Sequence, residues 1–457
     1  MTLIGLMPFG FICQSSLIPA SISEIGLHLE SVHPKPFKRV RIPTVSAQES
    51  RTLAIIGQGY VGLPLAMAAV DAGWTVIGID NLEAKVAQIN SGKSPVEDIS
   101  DNQLQAALAS GAYRASTDFS SVAKASVITI CVPTPLDKKR EPDLSLLKNA
   151  VGSISPFVSN ETLVISESTS YPGTLREVII PTVDSLKPRD SINIYFASAP
   201  ERVNPGDPVW NQKNTPRLIG AVNAQSRSRA LAFYESICDF VVPVSSPEVA
   251  EAAKLLENTF RLVNIALVNE LTQLCSVSGI SVNEVIDAAS SKPYGFMSFR
   301  PGVGVGGHCI PVDPLYLTWW ARQNGLRAPL VESADEINRR MPNYIGERAL
   351  ELLNPAIISP RILILGVAYK LGIADVRETP ISSLRDYLMD KGVTVAWHDP
   401  LVKIWEDTFP VDLDYPCDLA ILATRQPGMD LEKLLNKGIK VLDCTNSYIN
   451  QGKVVSL

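Results

Sequence analysis

The feature that most constrains the fold is a glycine-rich turn between a short apolar strand and an apolar helix. The turn is Gly57-Gln58-Gly59-Tyr60-Val61-Gly62; the predicted strand precedes it at 52–57 and the helix runs to about Ala72. A second apolar strand, 75–80, ends in Asp80. In such a unit the first glycine permits the tight turn, the second leaves room for a close ligand, and the third lets helix and strand pack.

This arrangement is typical of a dinucleotide site, with pyrophosphate at the positive end of the helix. Asp80 lies eighteen residues beyond Gly62, where a carboxylate binds the ribose 2′-hydroxyl. A carboxylate repels a 2′-phosphate, so the sequence favours NAD over NADP as the cofactor. Lys85 is expected to flank the adenosine. The alternative is an ordinary glycine-rich turn with a solvated aspartate and a solvated lysine.

Strand-like and helical segments alternate along the rest of the chain. Such alternation predicts parallel sheets. Residues 248–278 contain neither glycine nor proline and predict one long helix. Before that helix, further strands are predicted at 127–132, 163–166 and 194–197, and after it at 361–365, 394–398, 419–424 and 440–443.

We therefore expect an α/β fold with two Rossmann-like parallel-sheet domains joined by a long central helix. The expected domains are a poorly ordered extension over 1–50, an N-terminal NAD-binding domain over 51–246, a central helical region with the catalytic loop over 247–355, and a second sheet domain over 356–457.

Composition excludes several classes of protein. A chain of 457 residues that is 46% hydrophobic and 19% charged is globular. A net charge of −6 without a basic tract argues against a nucleic-acid partner. Seven cysteines, none in a CxxC pair, argue against a disulfide scaffold and a metal site, and favour the cytoplasm. Residues 1–20 are uncharged, but their apolar stretch, 3–13, is interrupted by Pro8 and two glycines and is shorter than the roughly 18 residues of a spanning helix.

The most unusual segment is the loop 301–314, which has four glycines between Gly302 and Gly307 and then Cys309. A thiol near a dinucleotide site suggests covalent chemistry, in which an aldehyde is trapped and a thioester is later hydrolysed. The alternative is a small buried cysteine. His308 could lower the thiol pKa, contact a substrate or be structural.

Lys254 and Asn258 share one face of the predicted long helix, because residues four apart are neighbours on a helix. Aimed into a cleft, the two side chains would stabilise an alkoxide or the oxyanion of a tetrahedral intermediate. The alternative, favoured by spacing alone, is a solvated helix face.

Residues 52–457 resemble the nucleotide-sugar 6-dehydrogenases, the family of UDP-glucose and UDP-N-acetylhexosamine dehydrogenases. The resemblance depends on seven motifs in order: IIGQGYVGLPLA at 55–66, VPTP at 132–135, ESTSYPGT at 167–174, SAPERVNPG at 198–206, EAAKLLENTFRLVNIALVNE at 251–270, GVGGHCIPVDP at 304–314 and GVAYKLGIADVRETP at 366–380. The resemblance implies oxidation of a C6 alcohol to a carboxylate with two NAD⁺ and no metal, for polysaccharide biosynthesis, by a homodimer.

The resemblance also implies roles for individual residues. Cys309 is the expected nucleophile, Lys254 and Asn258 stabilise the oxyanion, and Asp313 assists Lys254 and the attacking water. Glu201 is the expected general base for thioester hydrolysis, and Thr169 lies near it. The remaining expected contacts are with cofactor (Gly57, Gly59, Tyr60, Val61, Gly62, Asp80, Lys85, Pro133 and Thr134) and with the UDP-sugar (Arg300, Gly306, Lys370 and Arg377).

The sugar is assigned from the thiol loop. UDP-glucose enzymes of this family usually carry a lysine where this chain has Val312. The loop and the upstream KPYGFMSFRPG at 292–302 look more similar to the N-acetylhexosamine branch, and within it to UDP-N-acetylglucosamine enzymes. UDP-N-acetylmannosamine and UDP-glucose are the alternatives. More remote are a two-electron hydroxyacid dehydrogenase, which needs no thiol, and a non-catalytic NAD-binding protein.

Overall fold

The computed structural model describes residues 51–187, 192–203, 209–448 and 452–457. The expected extension over 1–50 lies outside these ranges. Within them, no helix is both long and apolar enough to cross a membrane.

The N-terminal domain is an eight-stranded sheet with helices on both faces. Its strands are β1 (Thr52–Ile56), β2 (Thr75–Ile79), β3 (Tyr113–Ser116), β4 (Val127–Ile130), β5 (Thr162–Ser166), β6 (Ile194–Ser198), β7 (Arg217–Ala221) and β8 (Val241–Pro243). Its helices are α1 (Gly62–Asp71), α2 (Glu83–Asn90), α3 (Asp101–Ala109), α4 (Ser145–Ile154), α5 (Ile180–Leu186) and α6 (Ala224–Glu235). The strand order is β3-β2-β1-β4-β5-β6-β7-β8.

Both faces of this sheet are buried, because the strands are apolar at successive positions. In β1, Leu53 and Ile55 pack into the core on one face, and Ala54 and Ile56 into the core on the other. Runs of this kind are typical of parallel strands covered by helices on both sides.

A group of four helices follows the first sheet. The helices are α7 (Pro247–Val277), α8 (Val282–Ser290), α9 (Asp313–Gln323) and α10 (Pro329–Leu352). The long helix predicted at 248–278 is α7, and it packs against α9, α10 and β7. It therefore connects the N-terminal sheet to the helices that precede the second sheet.

The C-terminal domain is a second, all-parallel sheet. Its elements are β9 (Arg361–Leu365), α11 (Ile381–Asp390), β10 (Thr394–His398), β11 (Leu419–Leu422), α12 (Glu432–Asn436), β12 (Lys440–Asp443) and β13 (Val454–Ser456), with the strand order β10-β9-β11-β12-β13. The predicted α/β class, with two Rossmann-like domains and a long central helix, is confirmed.

One strand pair departs from the parallel pattern expected for the first sheet. β6 and β7 are antiparallel, with Ala197 opposite Ala221. A parallel crossover usually contains a helix, and no helix occurs in 199–203 or 209–216, the described parts of the connection between β6 and β7. Arg217, the first residue of β7, consequently lies at the sheet edge where β5 and β6 end.

Candidate active site

The turn after β1 has the steric properties of a nucleotide-binding loop. Gly57 has a φ of +96°, and a Cβ there would lie 2.5 Å from the Cys131 carbonyl oxygen. A Cβ on Gly62 would lie 1.8 Å from the Gly57 oxygen, so α1 can pack here only without a side chain. At Gly59, in contrast, no atom lies within 4 Å of the Cβ position. That open space at the N-terminus of α1 fits a pyrophosphate.

Asp80 connects this loop to the end of β2. Its buried carboxylate accepts hydrogen bonds from the backbone N–H of Gln58 at 3.0 Å and of Leu82 at 3.1 Å. Lys85 forms an ion pair with Asp80 at 2.9 Å, and its expected position beside the adenosine stays a prediction. Asp80, the carboxylate expected to bind the ribose, is therefore attached to the glycine turn by a hydrogen bond.

The loops after β4 and β5 are joined beside this unit. The buried Thr134 hydroxyl donates a 2.7 Å hydrogen bond to the carbonyl oxygen of Thr169. Pro133 is exposed next to it, while Tyr60 and Val61 are partly exposed on the glycine turn. Thr169 is thus fixed through its backbone, at the sheet edge that the glycine turn occupies.

The thiol lies at the start of α9. The Cys309 carbonyl oxygen accepts the N–H of Asp313 at 2.9 Å, so Cys309 precedes the first turn of that helix. Asn258 Nδ2 on α7 donates to Asp313 Oδ2 at 2.5 Å. Cys309 is exposed, whereas Asp313, Asn258 and Lys254 are buried. The four residues predicted to act together are therefore brought together by α7 and α9.

The charges around the thiol set its protonation. Reduced solvation in the cleft and the Asp313 charge raise the pKa of the Cys309 thiol, and the cations Lys254, Arg261 and Arg377 only partly offset this. Burial raises the pKa of Asp313 to about 6, against the lowering effect of Lys254 and of the Asn258 hydrogen bond. At neutral pH Cys309 is thus a neutral thiol, and Asp313 is largely ionised.

His308, next to Cys309, is partly buried. Burial and the Arg377 charge lower the pKa of its imidazole, and a role of His308 at the thiol stays a prediction. Its Nε2 is buried without a hydrogen-bond partner among the described residues. The imidazole is therefore neutral and faces the C-terminal domain, where Arg377 lies.

The glycines before Cys309 let this loop pack on the C-terminal domain. A Cβ on Gly306 would lie 2.6 Å from Tyr369 Cβ, and one on Gly307 would lie 2.6 Å from the Tyr369 ring. The Gly307 N–H donates to the Arg377 carbonyl oxygen at 3.0 Å. The space that a side chain would need is therefore filled by protein, and substrate contact at Gly306 stays a prediction.

Helix α7 anchors two loops on either side of Lys254. Glu251 accepts the N–H of Gly173 at 2.7 Å and that of Leu175 at 3.2 Å, which fixes the loop after β5. Burial raises the pKa of Glu251 to about 8, although these hydrogen bonds lower it. Two turns further on, Glu257 binds the guanidinium of Arg202 at 2.6 Å, which fixes the loop after β6.

Glu201 belongs to a buried network rather than to the thiol cluster. Its Oε1 accepts the backbone N–H of Arg202 at 2.6 Å and of Val203 at 2.7 Å. Its Oε2 accepts Gln212 Nε2 and a guanidinium N–H of Arg217, both at 2.8 Å. Its role as general base remains a prediction.

The C-terminal domain contributes Arg377 beside the glycine turn, and Lys370 lies in the same motif. Arg377 forms an ion pair with Asp375 at 2.6 Å, and its guanidinium lies 4.9 Å from the centroid of the Tyr60 ring. Lys370 is half-buried, and its carbonyl oxygen accepts Gln426 Nε2 at 3.0 Å. A cavity of about 220 Å³ separates the two domains here, lined by Tyr60, Glu97, Asp98, Tyr369, Gly372, Ile373, Asp375 and Arg377.

Arg300, another predicted substrate residue, contacts helix α8. Its guanidinium pairs with Asp287 of α8 and donates to the Asn283 carbonyl oxygen at 3.2 Å. Within one chain, Arg300 is thus a residue of the α8 surface, and a substrate contact there stays a prediction.

Sequence reasoning did not single out Glu167, Arg217, Glu251 or Glu257. Glu167 opens the ESTSYPGT motif directly after an apolar strand, and a carboxylate at the carboxyl end of a parallel strand is a recognisable signal. The other three gave no signal, because their partners are distant in sequence.

Comparison with known proteins agrees with this architecture. The chain matches three successive domains of the UDP-glucose/GDP-mannose dehydrogenase family: the NAD binding domain over 51–238, the central domain over 248–340 and the UDP binding domain over 363–445.

Individual relatives cover most of the chain. A UDP-N-acetyl-D-mannosamine dehydrogenase of Methanococcus vannielii is 34% identical over 365 residues, which cover 79% of this chain and 82% of the relative. A UDP-N-acetyl-D-glucosamine 6-dehydrogenase of Pseudomonas aeruginosa is 33% identical over 358 residues, with coverage of 77% and 83%. The solved UDP-D-ManNAc dehydrogenase of Pyrococcus horikoshii superposes with a TM-score of 0.80 at 31% identity, covering 89% of this chain and 98% of that one. From its sequence, its two sheets and the cleft between them, this chain belongs to the UDP-glucose/GDP-mannose dehydrogenase family and is an NAD-dependent UDP-sugar dehydrogenase.

Proposed function

We propose that the protein oxidises the C6 hydroxyl of a UDP-N-acetylhexosamine to the uronate, with UDP-N-acetyl-D-mannosamine as substrate and a covalent adduct on Cys309. The observation that carries the proposal is the exposed thiol of Cys309 beside the buried Lys254, Asn258 and Asp313. A two-electron dehydrogenase would need no such thiol.

The residues of this cluster have distinct roles in the proposed reaction. The Cys309 sulfur forms a bond to C6 of the aldehyde as the C=O π bond breaks, and the thiol proton passes to the former carbonyl oxygen. Lys254 and the second side-chain N–H of Asn258, the one that does not donate to Asp313, stabilise the oxygen that gains negative charge at C6. Asp313 keeps Asn258 oriented through the 2.5 Å hydrogen bond, and its charge supports the ammonium of Lys254.

The second stage of the reaction releases the product from Cys309. Water attacks the thioester carbonyl, and Glu201 is the proposed acceptor of the water's proton. Thr169 is proposed to lie beside the reacting groups, at the position that the Thr134 hydrogen bond fixes.

The cofactor is held by the N-terminal domain in this proposal. The backbone at Gly59 faces the pyrophosphate, and the Asp80 carboxylate meets the adenine ribose. When bound, NAD⁺ supplies the hydride acceptor for both oxidation steps. The Lys85–Asp80 ion pair must share Asp80 with the ribose.

Relatives support the N-acetylhexosamine and favour the manno epimer. Relatives at 34–35% identity that cover at least 77% of this chain are named UDP-N-acetyl-D-mannosamine dehydrogenases, while one at 33% is named UDP-N-acetyl-D-glucosamine 6-dehydrogenase. The relatives therefore support UDP-N-acetylglucosamine, expected from the thiol loop, less well than UDP-N-acetylmannosamine. The latter, an alternative in the sequence analysis, is the proposed substrate.

We also propose a cytoplasmic homodimer formed along α7. Leu256, Phe260, Leu267 and Leu274 recur at spacings of four and seven residues and are 46–64% exposed. Such spacing places them on one face, as in a helix–helix seam. An exposed catalytic thiol is also best kept reduced in the cytoplasm.

The test is the yield of NADH per sugar nucleotide for UDP-N-acetylmannosamine, UDP-N-acetylglucosamine and UDP-glucose. We expect two NADH per UDP-N-acetylmannosamine, and loss of the second in Cys309→Ser. Cys275→Ser, which alters a buried thiol on the opposite end of α7, is the control and should keep full yield.

A yield of one NADH, or full turnover by Cys309→Ser, would contradict the thioester route. Preference for UDP-N-acetylglucosamine or UDP-glucose would leave the chemistry intact and overturn the choice of sugar.

A further inference from the structure

Behind Glu201 lies a buried arginine that two carboxylates share. Arg217 donates to Glu201 Oε2 at 2.8 Å and to Glu167 Oε2 at 3.3 Å. Its side chain is 2% exposed and that of Glu167 is 0% exposed. Tyr234 donates its hydroxyl to the other oxygen of Glu167 at 2.5 Å. Neither Glu167 nor Arg217 has a role in the reaction steps derived above.

The sheet topology creates this cluster. Glu167 follows β5, Glu201 lies three residues beyond β6, and Arg217 begins β7. Because β7 runs antiparallel to β6, its first residue lies at the carboxyl edge of β5 and β6. This is the edge where ligands bind in open α/β sheets.

The cluster is connected to the catalytic helix. Arg202, next to Glu201, donates to the Pro216 carbonyl oxygen at 2.9 Å, just before Arg217, and pairs with Glu257 on α7. Glu257 is adjacent to Asn258. The position of the Glu201 loop relative to the Cys309 site therefore depends on the residues around Arg217.

The two carboxyl groups of the cluster, Glu201 and Glu167, differ in pKa. Burial alone would raise the pKa of Glu201, but Arg217 and the hydrogen bonds to its carboxylate hold that pKa below its usual value. Burial raises the pKa of Glu167 to about 7, the Glu201 charge adds to this, and Arg217 and the Tyr234 hydrogen bond oppose it. One carboxylate is thus firmly ionised and the other titrates near neutrality.

We propose that Arg217 and Glu167 are positioning residues that hold Glu201 oriented and set its basicity for hydrolysis of the Cys309 thioester. The inference rests on the proposed function. In this step water forms a C–O bond at the thioester carbon and gives a proton to Glu201. The C–S bond breaks and the sulfur leaves with the electron pair. The Cys309 thiolate then takes up the remaining proton of the water-derived hydroxyl, so that the product departs as the uronate and Cys309 is again a thiol.

Glu167 matters because Glu201 loses its charge when it accepts the proton. A buried Arg217 without an anion would be costly, and an ionised Glu167 supplies that anion. An ionised Glu167 also makes Glu201 a stronger base through repulsion of like charges. Hydrolysis should therefore speed up as pH rises through about 7, the pKa of Glu167. The groups that face Glu167 are Arg217, Glu201, Tyr234, Cys131 and Cys238.

The experiment is a single turnover of the full-length enzyme with NAD⁺ and UDP-N-acetylmannosamine, or whichever UDP-sugar the enzyme turns over. It records the rate of the first NADH and, by intact-protein mass spectrometry, the adduct on Cys309. The variants are Glu201→Gln, Arg217→Lys and Glu167→Gln. The control is Glu161→Gln, at the opposite end of β5, whose carboxylate pairs with Arg229 on the surface.

We expect Glu201→Gln and Arg217→Lys to accumulate the thioester, with hydrolysis slowed at least roughly 10-fold and the first NADH nearly unchanged. Glu167→Gln, which is isosteric and should fold, is expected to lose the rise in hydrolysis near pH 7. Glu161→Gln should behave as wild type.

Wild-type hydrolysis and pH profile in both Arg217→Lys and Glu167→Gln, with Glu201→Gln slow, would overturn the positioning role and leave the proposed function intact. An equal loss of the first NADH and of hydrolysis in Glu167→Gln would indicate a structural role and also overturn it. No accumulation in Glu201→Gln would instead contradict the general base of the proposed function.

Discussion

At the scale of single residues, the site is defined by groups whose ionisation depends on one another. Asp313 is buried against Lys254 and Asn258, and Cys309 is close enough for its thiol to respond to Asp313 and Lys254. Removing one charge therefore changes the protonation of the others, which makes pH profiles informative.

The first prediction concerns Asp313. Its pKa is raised to about 6, so the carboxylate is protonated below pH 6 and ionised above it. We expect kcat/KM to rise with pH through about 6 and Asp313→Asn to remove this limb while lowering kcat by about 100-fold. Asp414→Asn, a surface carboxylate of the C-terminal domain that pairs with Lys437, is the control. An unchanged acid limb in Asp313→Asn would assign the limb to another group.

The second prediction concerns Cys309 in the free protein. The pKa of its thiol is raised overall, and the Lys254 charge opposes that rise. Because alkylation needs the thiolate, Lys254→Met should slow alkylation by iodoacetamide at pH 8. Lys124→Met, at an exposed lysine, should not. Cys309 is the exposed thiol among the described cysteines, so peptide mapping should find it modified first. Equal labelling rates in both lysine variants would show that Lys254 does not act on the thiol.

At the scale of elements, two glycines of the turn after β1 have different roles: Gly57 is needed for the fold, and Gly59 leaves space for a ligand. Gly57 is required by its φ of +96° and the nearby Cys131 oxygen, whereas Gly59 faces open space. Gly57 allows the turn that leads into helix α1, and the absence of a side chain at Gly59 leaves the N-terminus of that helix accessible.

The third prediction follows from this difference. Gly59→Ala should fold with wild-type thermal stability but bind NAD at least about 10-fold more weakly, because the methyl group fills the ligand space. Gly57→Ala should be destabilised by more than about 1–2 kcal/mol, the cost of a left-handed conformation. The measurements are thermal unfolding and NAD titration by calorimetry. Undiminished NAD binding by Gly59→Ala would place the pyrophosphate elsewhere.

At the scale of the whole molecule, α7 joins the parts of the site. It carries Lys254 and Asn258, fixes the loops after β5 and β6 through Glu251 and Glu257, and leaves an apolar stripe exposed. The face that holds the site and the stripe that would meet a partner belong to the same helix, so assembly and catalysis are expected to be coupled.

The fourth prediction tests that stripe. Leu267→Asp should convert a dimer into a monomer in light scattering, because a charge at the centre of an apolar helix seam is strongly unfavourable. Leu186→Asp, at a leucine of the N-terminal domain that is 51% exposed against 59% for Leu267, should leave the mass unchanged. A wild-type monomer, or a dimer that survives Leu267→Asp, would contradict the seam along α7.

The sequence predicts best where function depends on neighbours along the chain. The glycine turn, Asp80 and the long helix are local patterns, and the fold that they predict is confirmed. The Arg217 cluster could not be predicted, because it joins three strands across an antiparallel pairing that no pattern indicates. The contact of Gly306 and Gly307 with Tyr369 could not be predicted either, because Tyr369 lies far along the chain.

The packing of the Cys309 loop on Tyr369 and Pro380 bears on how enzymes of this family can be recombined. A Cβ on Gly304 or on Gly306 would lie within 3.2 Å of Pro380. The conformation of the loop therefore depends on its contact with the C-terminal domain. In a chimera of two family members joined just before β9, the loop with Cys309 would come from one parent and the residues that it contacts, at positions 369 and 380, from the other. Donor segments 302–312 and 366–380 should therefore be exchanged together, as one inherited block.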